Sequence, residues 1–405
     1  MKRLLLVSDP IDDGPSVQFS LLRSVAKSLE GDFQVSIHTP YCHRRRWAEF
    51  DRLGVELTAS DDSQFLANRF LGWFHQRNES MLWAESWLRE ALFRKNSSLA
   101  GRLLRQQRFD FVVNLSQTVP IPSDFWWIQG TPLDLTLEGM SRTNSIAWLV
   151  DRFGHDSVAG LDSGMTERFR ASSRHIVADS PYVRDLYRGR GVPVEGVLHT
   201  STDDFSSFVP AERPTRDFVL LYLGKETDRI NLRDLHSAGV KIVGFGSKIP
   251  WTTHLDRFTP WMDFRGRVSN EELVRLYSNA LFTMFPFTFE ALGWVPIESM
   301  ACGTPVLTYG RQGPGTTVVN GKTGWLVQTA DELVHKARQL WQSQSTGIDS
   351  AECVQHARRF YLADSIASLR RWIEKGFSDL SFGGSSIDLA RMTSTTLAGD
   401  GLAMT

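Results

Sequence analysis

Two carboxylates lie on either side of a turn within residues 289–310, where they could contact one ligand together. Gly293 separates Glu290 from Glu298, and Pro296 stands where a helix would begin, because its fixed φ suits the first helical position. Glu298 would then lie in the first helical turn, near the positive end of the dipole. Free backbone N–H groups at such a helix start suit phosphate oxygens, and the two carboxylates suit sugar hydroxyls. Diphosphate beside a polyol is the description of a nucleotide-sugar.

Two cations follow an apolar run that ends at Gly224. They are Lys225 and Arg229, and they would lie just after a predicted strand. Breaking a glycosyl–phosphate bond builds negative charge on the leaving diphosphate, and preorganised cations stabilise that transition state more than the ground state. A solvated helix start with an ordinary ion pair is the alternative, and the residues alone leave both interpretations open.

Three loop segments are weaker indications of ligand binding. Gly246 completes a Gly-x-Gly turn, and Gly14 follows the first apolar run, where a glycine would let the backbone approach a diphosphate. Arg267 and Val268 precede a helical pattern at 270–279. Ordinary turns of an α/β protein need no ligand and remain the alternative at each of these positions.

Short apolar runs alternate with helical patterns along the chain. The runs that predict strands cover 3–8, 33–38, 54–58, 109–114, 125–128, 175–178, 194–198, 218–223, 241–245, 282–285, 305–308 and 324–327. Helical patterns cover 17–29, 270–279, 297–301 and parts of 351–375. This alternation is typical of parallel sheets, which bind ligands at the carboxyl ends of their strands.

The length of the chain predicts two domains. Its 405 residues exceed one ordinary core and suit two domains of about 150 to 200 residues each. We therefore predict an α/β fold with two Rossmann-like domains that face each other across a cleft. The N-terminal domain covers 1–208 and the second domain 209–350; helices at 351–377 return to the first domain, and the Ser-, Thr- and Gly-rich segment 378–405 is disordered.

The stretch 289–310 resembles the E-x7-E motif of family 4 (group 1) retaining glycosyltransferases, which have the two-domain GT-B fold. The matching positions are Glu290, Gly293, Pro296, Glu298, Ala301, Gly303, Pro305 and Val306. The resemblance extends from 219 to about 327 and more weakly to 375. It implies a hexosyltransferase-type enzyme that moves a sugar from a nucleotide-diphosphate sugar with retention, by a front-face displacement in which the leaving phosphate helps to deprotonate the acceptor.

The resemblance also implies a role for each candidate residue. Glu298 would hold the ribose hydroxyls of the donor, and Glu290 would hold the transferred sugar near its reacting carbon. Lys225 and Arg229 would stabilise the diphosphate. The residues whose backbone would support the sugar, the phosphates or the base are Ala291, Leu292, Gly293, Gly224, Gly246, Arg267, Val268 and Gly14.

Four positions depart from the family's pattern. Gln129 stands where the family commonly has His, and Thr316 stands where many relatives carry Glu. Arg229 comes one residue before the usual Lys, and Gly14 stands alone where the usual loop has two adjacent glycines. These changes leave room for an altered donor preference or for weakened activity.

Composition excludes several other classes of function. The formal net charge of -1 gives no global attraction to nucleic acid, and no stretch approaches the about 20 apolar residues that span a bilayer. Three cysteines without C-x-x-C spacing argue against a disulfide framework and fit a reducing cytoplasm. Neither an Asp-x-Asp pair nor a histidine metal motif occurs, so we expect no metal and no cofactor, with the nucleotide-sugar as a substrate.

Two N-terminal features would suit a membrane surface beside a lipid-linked acceptor. They are the basic cluster at 43–47 and the aromatic residues within 65–93, which have roughly helical spacing. A buried helix face with a solvated charge run is the alternative. The expected acceptor is accordingly a glycan, a lipid-linked molecule or a small molecule, and the expected location is the cytoplasm, with or without contact to the inner face of the cell membrane.

Two other functions share these features. A GT-B nucleotide-sugar epimerase has the same architecture and would turn over the donor without an acceptor. A non-catalytic nucleotide-sugar-binding subunit of a glycosylation complex would bind the donor and leave it intact, and the departures at Gln129 and Thr316 keep this alternative open.

Overall fold

A computed structural model of the chain describes residues 1–11, 17–59, 100–141, 145–201, 207–224, 227–246 and 259–375. Two separate parallel sheets organise these residues, one from the first half of the chain and one from the second. Gly14, Lys225, the aromatic stretch at 65–93 and the tail at 378–405 lie outside the described residues. The predictions made for them therefore remain predictions.

Seven parallel strands of the described residues form the first sheet, in the order β3-β2-β1-β4-β5-β6-β7. They are β1 (Lys2–Val7), β2 (Phe33–Thr39), β3 (Glu56–Ala59), β4 (Phe111–Asn114), β5 (Ser123–Ile128), β6 (Ser173–Ala178) and β7 (Gly196–Val197). Leu4 and Leu6 of the central strand face one apolar core, and Leu5 and Val7 face another. A strand buried on both faces needs a continuous apolar run, which is what the sequence provides.

Helices cover both faces of this first sheet. They are α1 (Val17–Leu29), α2 (Arg44–Arg52), α3 (Leu133–Ser141), α4 (Ser145–Ser172) and α5 (Pro181–Gly189), and residues 100–106 are also helical. Ser180 caps α5 by accepting the Val183 N–H at 3.1 Å, and Pro181 fits the first turn because an N–H there has no helical partner.

Six parallel strands in the described part of the chain form the second sheet, in the order β10-β9-β8-β11-β12-β13. The strands are β8 (Val219–Leu223), β9 (Ile242–Gly246), β10 (Asp263–Phe264), β11 (Thr283–Phe285), β12 (Val306–Tyr309) and β13 (Gly324–Val327). The helices are α6 (Leu232–Ser237), α7 (Asn270–Asn279), α8 (Trp294–Ala301), α9 (Pro314–Thr317), α10 (Ala330–Ser343) and α11 (Ser350–Ala357). Short 3-10 helices lie at Thr259–Trp261 and Arg358–Phe360. The strand order reverses between β8 and β11.

The last described helix, α12 (Leu362–Lys375), packs into the core of the first sheet. Leu369 and Trp372 are buried in that core, and the Trp372 ring stacks on Phe125 with 6.1 Å between centroids. Arg370 pairs with Asp32 at 2.8 Å beside α1. The end of the described chain therefore ties the second half of the molecule back onto the first.

The predicted α/β class with two Rossmann-like units is confirmed by these sheets. Helices α1 and α7 and strand β13 have the predicted bounds. The sequence patterns do not predict α4, because Gly154, Gly160 and Gly164 weaken its helical signal. They also do not predict β10, which has two residues and too little length for a pattern.

Candidate functional site

The two glutamates follow β11, at the point where the strand order of the second sheet reverses. Ligands of doubly wound sheets bind in the crevice beside such a point, at the carboxyl ends of the strands. Beyond β11 the chain pairs with the segment that follows β8: Thr227 bridges Phe287, and the Asp228 N–H donates to the Pro286 carbonyl at 2.6 Å. The loop that carries Arg229 and the loop that leads to Glu290 therefore lie side by side.

Helix α8 begins at Trp294, earlier than predicted. Gly293 caps it with a φ of 90°, and a Cβ at this position would lie 2.9 Å from Pro314 Cγ. Only glycine meets both conditions without strain. The loop that separates the two glutamates thus depends on this one residue.

Two sequence predictions about this helix were wrong. Pro296 does not open it but is still in the first turn, where the N–H groups have no helical partner, so proline is tolerated there. The first helical hydrogen bond runs from the Ile297 N–H to the Gly293 carbonyl at 3.4 Å. Glu298 lies in the second turn, and the helix dipole therefore favours its charge less than expected.

Glu298 is held by a tyrosine that the sequence analysis missed. The Tyr277 hydroxyl of α7 donates to Glu298 Oε2 at 2.8 Å. Burial raises the pKa of Glu298 to about 7, and the bond from Tyr277 opposes that rise. The pKa of Tyr277 itself lies well above its usual value because of burial and the neighbouring carboxylate, so its hydroxyl remains a donor. One Glu298 oxygen is thereby positioned.

Glu290 is held by its own loop. The Ala291 N–H donates to Glu290 Oε1 at 2.9 Å, and the Gly313 N–H donates to the Glu290 carbonyl at the same distance. Ala291 and Leu292 are buried. Gly313 has no room for a side chain, because a Cβ there would overlap the Ala291 backbone. The turn before α9 therefore packs directly under the glutamate loop.

Gly224 and Thr227 lie close together after β8. The Gly224 N–H donates to Thr227 Oγ1 at 2.8 Å, and a Cβ on Gly224 would lie 2.9 Å from the Phe287 ring. Arg229 follows and is exposed. Arg311, which the sequence analysis missed, lies 3.7 Å from the Asp228 carboxylate in the same region.

The predicted base loop lies at the carboxyl end of β9. Gly246 has a φ of 132°, and its N–H donates to the Gly266 carbonyl at 2.9 Å. Arg267 and Val268 come next, with Arg267 exposed and Val268 packed against the second core. Gly224, Gly246 and the Arg267 backbone thus lie at the carboxyl ends of neighbouring strands of one sheet.

The first domain presents two polar features at the carboxyl ends of its strands. Asp9, after β1, accepts hydrogen bonds from Ser116 Oγ at 2.6 Å and from the Gln117 N–H at 2.9 Å, and this orders the loop after β4. Gln129 follows β5, and its Nε2 is buried without a hydrogen-bond partner among the described residues. The Thr316 hydroxyl of the second domain is bonded to the Gly313 carbonyl at 2.7 Å.

The two domains meet at the glutamate loop. The Ser180 hydroxyl of the first domain donates to the Ala291 carbonyl at 2.7 Å. Trp294 packs against the cores of both domains, and a Cβ on Gly139 would lie 2.7 Å from Phe289 Cβ. Glu290 consequently lies at the domain junction, where both domains can contact a ligand.

The described residues show neither a metal-binding cluster nor a membrane-spanning helix. They hold no group of three or more His, Cys, Asp or Glu side chains that could bind a metal ion. No described helix is both long and apolar enough to cross a membrane. Within the basic cluster, Arg46 lies over the Phe19 ring at 4.3 Å and pairs with Glu49 at 3.0 Å, so this arginine is engaged by its own domain.

Known proteins match this chain in sequence. Residues 261–360 fit the family model described as glycosyl transferases group 1. This segment of the chain is similar to the group 1 glycosyltransferases. A D-inositol 3-phosphate glycosyltransferase of Mycolicibacterium smegmatis is 28% identical over 113 residues, 27% of this chain and 26% of the relative. A glycogen synthase of Mycobacterium tuberculosis is 38% identical over 151 residues, 34% of this chain and 36% of the relative. The matches thus span about a third or less of these relatives.

Solved structures match this chain over most of its length. The match to Anabaena Alr3699/HepE in complex with UDP covers 92% of this chain and 100% of the Anabaena chain. The two are 13% identical, and the TM-score is 0.60. The same protein in complex with UDP-glucose gives a TM-score of 0.59 at 12% identity, with 92% and 100% covered. At this identity the likeness concerns the fold, and it confirms the predicted GT-B architecture.

Proposed function

We propose that this protein transfers a sugar from a nucleotide-diphosphate sugar to an acceptor, with retention at the anomeric carbon. The observation that carries the proposal is the meeting of the Glu290 loop with the segment that follows β8 at the reversal point of the second sheet. Loop N–H groups and a cation suit a diphosphate, and carboxylates suit sugar hydroxyls. The Anabaena neighbour was solved with UDP and UDP-glucose, so UDP-sugars are the first donor class to test.

Each side of the site has a distinct role in this proposal. Glu298, fixed by Tyr277, holds the ribose hydroxyls, while the backbone near Arg267 and Val268 faces the base. Glu290 holds the transferred sugar. Lys225 and Arg229 neutralise the diphosphate, whose charge grows as the glycosyl–phosphate bond breaks.

The reaction needs no protein nucleophile. The bond from the anomeric carbon to the diphosphate oxygen breaks, the acceptor oxygen bonds to the same face of that carbon, and the leaving phosphate takes the acceptor proton. Closure of the two domains excludes water and limits hydrolysis of the donor. We further propose that the reaction proceeds without a metal, since cations of the chain supply the charge stabilisation.

The acceptor enters from the first domain in this scheme. The Asp9-bonded loop and Gln129 lie at the carboxyl ends of that domain's strands, and Ser180, after the neighbouring strand, contacts the glutamate loop. A glycan, a lipid-linked molecule and a small molecule are the acceptor classes that we propose to test. Cys42, Cys302 and Cys353 are buried and free, which supports a location in a reducing cytoplasm.

Nuclear magnetic resonance of nucleotide-sugar turnover tests this function. Wild type, incubated with UDP-glucose and an acceptor panel, should release UDP and form an α-linked product. Glu290→Gln should lower the rate by about 100-fold or more, because the sugar loses its positioning carboxylate. The exposed Glu271→Gln is the matched control and should keep the wild-type rate.

Two outcomes would favour the alternatives. An epimerised nucleotide-sugar formed without acceptor would identify an epimerase. Binding of the donor without turnover against the whole panel would identify a nucleotide-sugar-binding subunit.

A further inference from the structure

A buried carboxyl group, Asp179, lies directly after β6 and is not part of the donor site described above. It is 2% exposed, and its Oδ1 has no hydrogen-bond partner among the described residues. Burial raises the pKa of Asp179 to about 8, a hydrogen bond with the Ser180 side chain opposes the rise, and the charge of Glu290 adds to it. Burying a carboxyl oxygen that has no hydrogen-bond partner costs stability, so an apolar side chain would suit this position better if packing were its only purpose.

The groups around Asp179 do not neutralise it. The described titratable groups that face it are Glu290, Tyr187 and His199. Burial raises the pKa of Tyr187 and lowers the pKa of His199, so both are neutral at pH 7. His199 Nδ1 forms a hydrogen bond with the backbone carbonyl of Asp179 at 2.9 Å, and not with its carboxyl group. Within the described residues, Asp179 is therefore not one half of an ion pair.

Asp179 lies where the first domain touches the glutamate loop. Its neighbour Ser180 donates to the Ala291 carbonyl at 2.7 Å, next to Glu290. The Asp179 N–H donates to the Ile128 carbonyl at 2.9 Å, which places Asp179 beside Gln129 at the ends of two paired strands. A buried carboxyl oxygen and a buried amide nitrogen, both unpartnered among the described residues, therefore occupy adjacent strand ends beside the cleft.

We propose that Asp179 binds a hydroxyl group of the transferred sugar, opposite Glu290, and helps to determine which sugar the site accepts. The inference rests on the function proposed above and adds a sugar contact from the first domain. A protonated carboxyl group can donate one hydrogen bond and accept another, as a sugar hydroxyl can. The Gln129 amide supplies a further donor to the same hydroxyl.

Isothermal titration with UDP and with UDP-glucose at pH 7 tests this role. The Kd for UDP divided by the Kd for UDP-glucose gives the contribution of the glucose to affinity, separately from that of UDP. Asp179→Val should lower this ratio about threefold to tenfold, the size of one hydrogen bond, with the Kd for UDP unchanged. Asp179→Asn keeps a donor and an acceptor and should retain most of the wild-type ratio.

Two further variants complete the experiment. Gln129→Leu should lower the same ratio, and it serves as the independent variant if Asp179→Val does not fold. Asp124→Asn removes a carboxylate near the opposite end of β5 and should leave the ratio at its wild-type value.

The outcomes separate this inference from the proposed function. A wild-type ratio in both Asp179→Val and Gln129→Leu would overturn the sugar contact and leave the donor site intact. If the wild type binds neither UDP nor UDP-glucose, the proposed UDP-sugar donor fails, and the inference fails with it.

Discussion

The ionisation of Glu298 should control nucleotide binding near neutral pH. Its pKa is raised to about 7 by burial, and only the ionised carboxylate can accept hydrogen bonds from both ribose hydroxyls. We therefore expect the affinity for UDP to fall as the pH decreases from 8 to 6, approaching tenfold per unit below the pKa. Isothermal titration at pH 6, 7 and 8 measures this dependence.

Glu298→Gln is the control for that measurement. The variant lacks the titrating group, so any pH dependence that it retains belongs to the UDP phosphates or to other residues. Equal slopes in the wild type and Glu298→Gln would contradict the assignment of the titration to Glu298.

Asp179 should reduce the stability of the protein as the pH rises. Its pKa is about 8 in the folded state and 3.8 for an ordinary aspartate side chain, so only the folded state holds this proton between about pH 4 and 8. The free energy of unfolding consequently falls through that window as the pH rises. Asp179→Asn lacks the titration, so its melting temperature should exceed that of the wild type at pH 8 and approach it near pH 4.5. A difference that does not change with pH would show that the carboxyl group ionises normally.

The sequence predicts the two glutamates of the site but not the residues that contact them. Glu290 and Glu298 belong to one local motif whose spacing is visible in the chain. Tyr277 and Asp179 act on them from distant segments, and their place beside the glutamates depends on how α7 and β6 pack. In the sequence a buried tyrosine on a helix and an aspartate after a strand have no distinguishing pattern.

At the scale of elements, the start of α8 depends on the left-handed conformation of Gly293. In Gly293→Ala the alanine would have to adopt a φ of 90°, and its Cβ would crowd Pro314. We therefore expect a loss of about 2–4 kcal/mol in the free energy of unfolding and weaker UDP binding. Gly321→Ala is matched, with a φ of 77° and no atom within 4 Å of the added Cβ. It should cost about 1 kcal/mol and leave UDP binding unchanged. Equal losses in chemical denaturation would mean that the Pro314 contact plays no part.

Element boundaries show a second limit of sequence analysis. Pro296 lies in the first turn of α8 but does not open it, because proline is tolerated throughout the first turn and does not determine the first helical residue. The apolar runs predict the positions of most strands, because a strand that is buried on both faces needs a continuous apolar run.

At the scale of the whole molecule, α12 joins the end of the described chain to the first domain. Trp372 is buried against the core of the first sheet, so Trp372→Ala should lower the free energy of unfolding by about 3–5 kcal/mol. The exposed Glu374→Ala on the same helix is the control and should change it by less than about 0.5 kcal/mol. Similar denaturation curves for the two variants would contradict the packing of α12.

The arrangement of the two domains follows from the order of the motifs only in part. Two alternating strand–helix series predict two parallel sheets, and the switch point between β8 and β11 then selects one edge for the donor. The junction formed by Ser180, Ala291 and Trp294 joins segments far apart in sequence, so no local pattern could predict it.

Nucleotide binding through Glu298 is the central property of the proposed donor site. A thermal-shift screen would compare the wild type with Glu298→Ala against nucleoside diphosphates and nucleotide-sugars, since a ligand at 100 times its Kd stabilises the folded state by about 2.7 kcal/mol. We expect one nucleotide class to raise the melting temperature of the wild type, and Glu298→Ala to lose most of that rise. No shift of the wild type at millimolar ligand, or an equal shift in the variant, would contradict the proposed donor site.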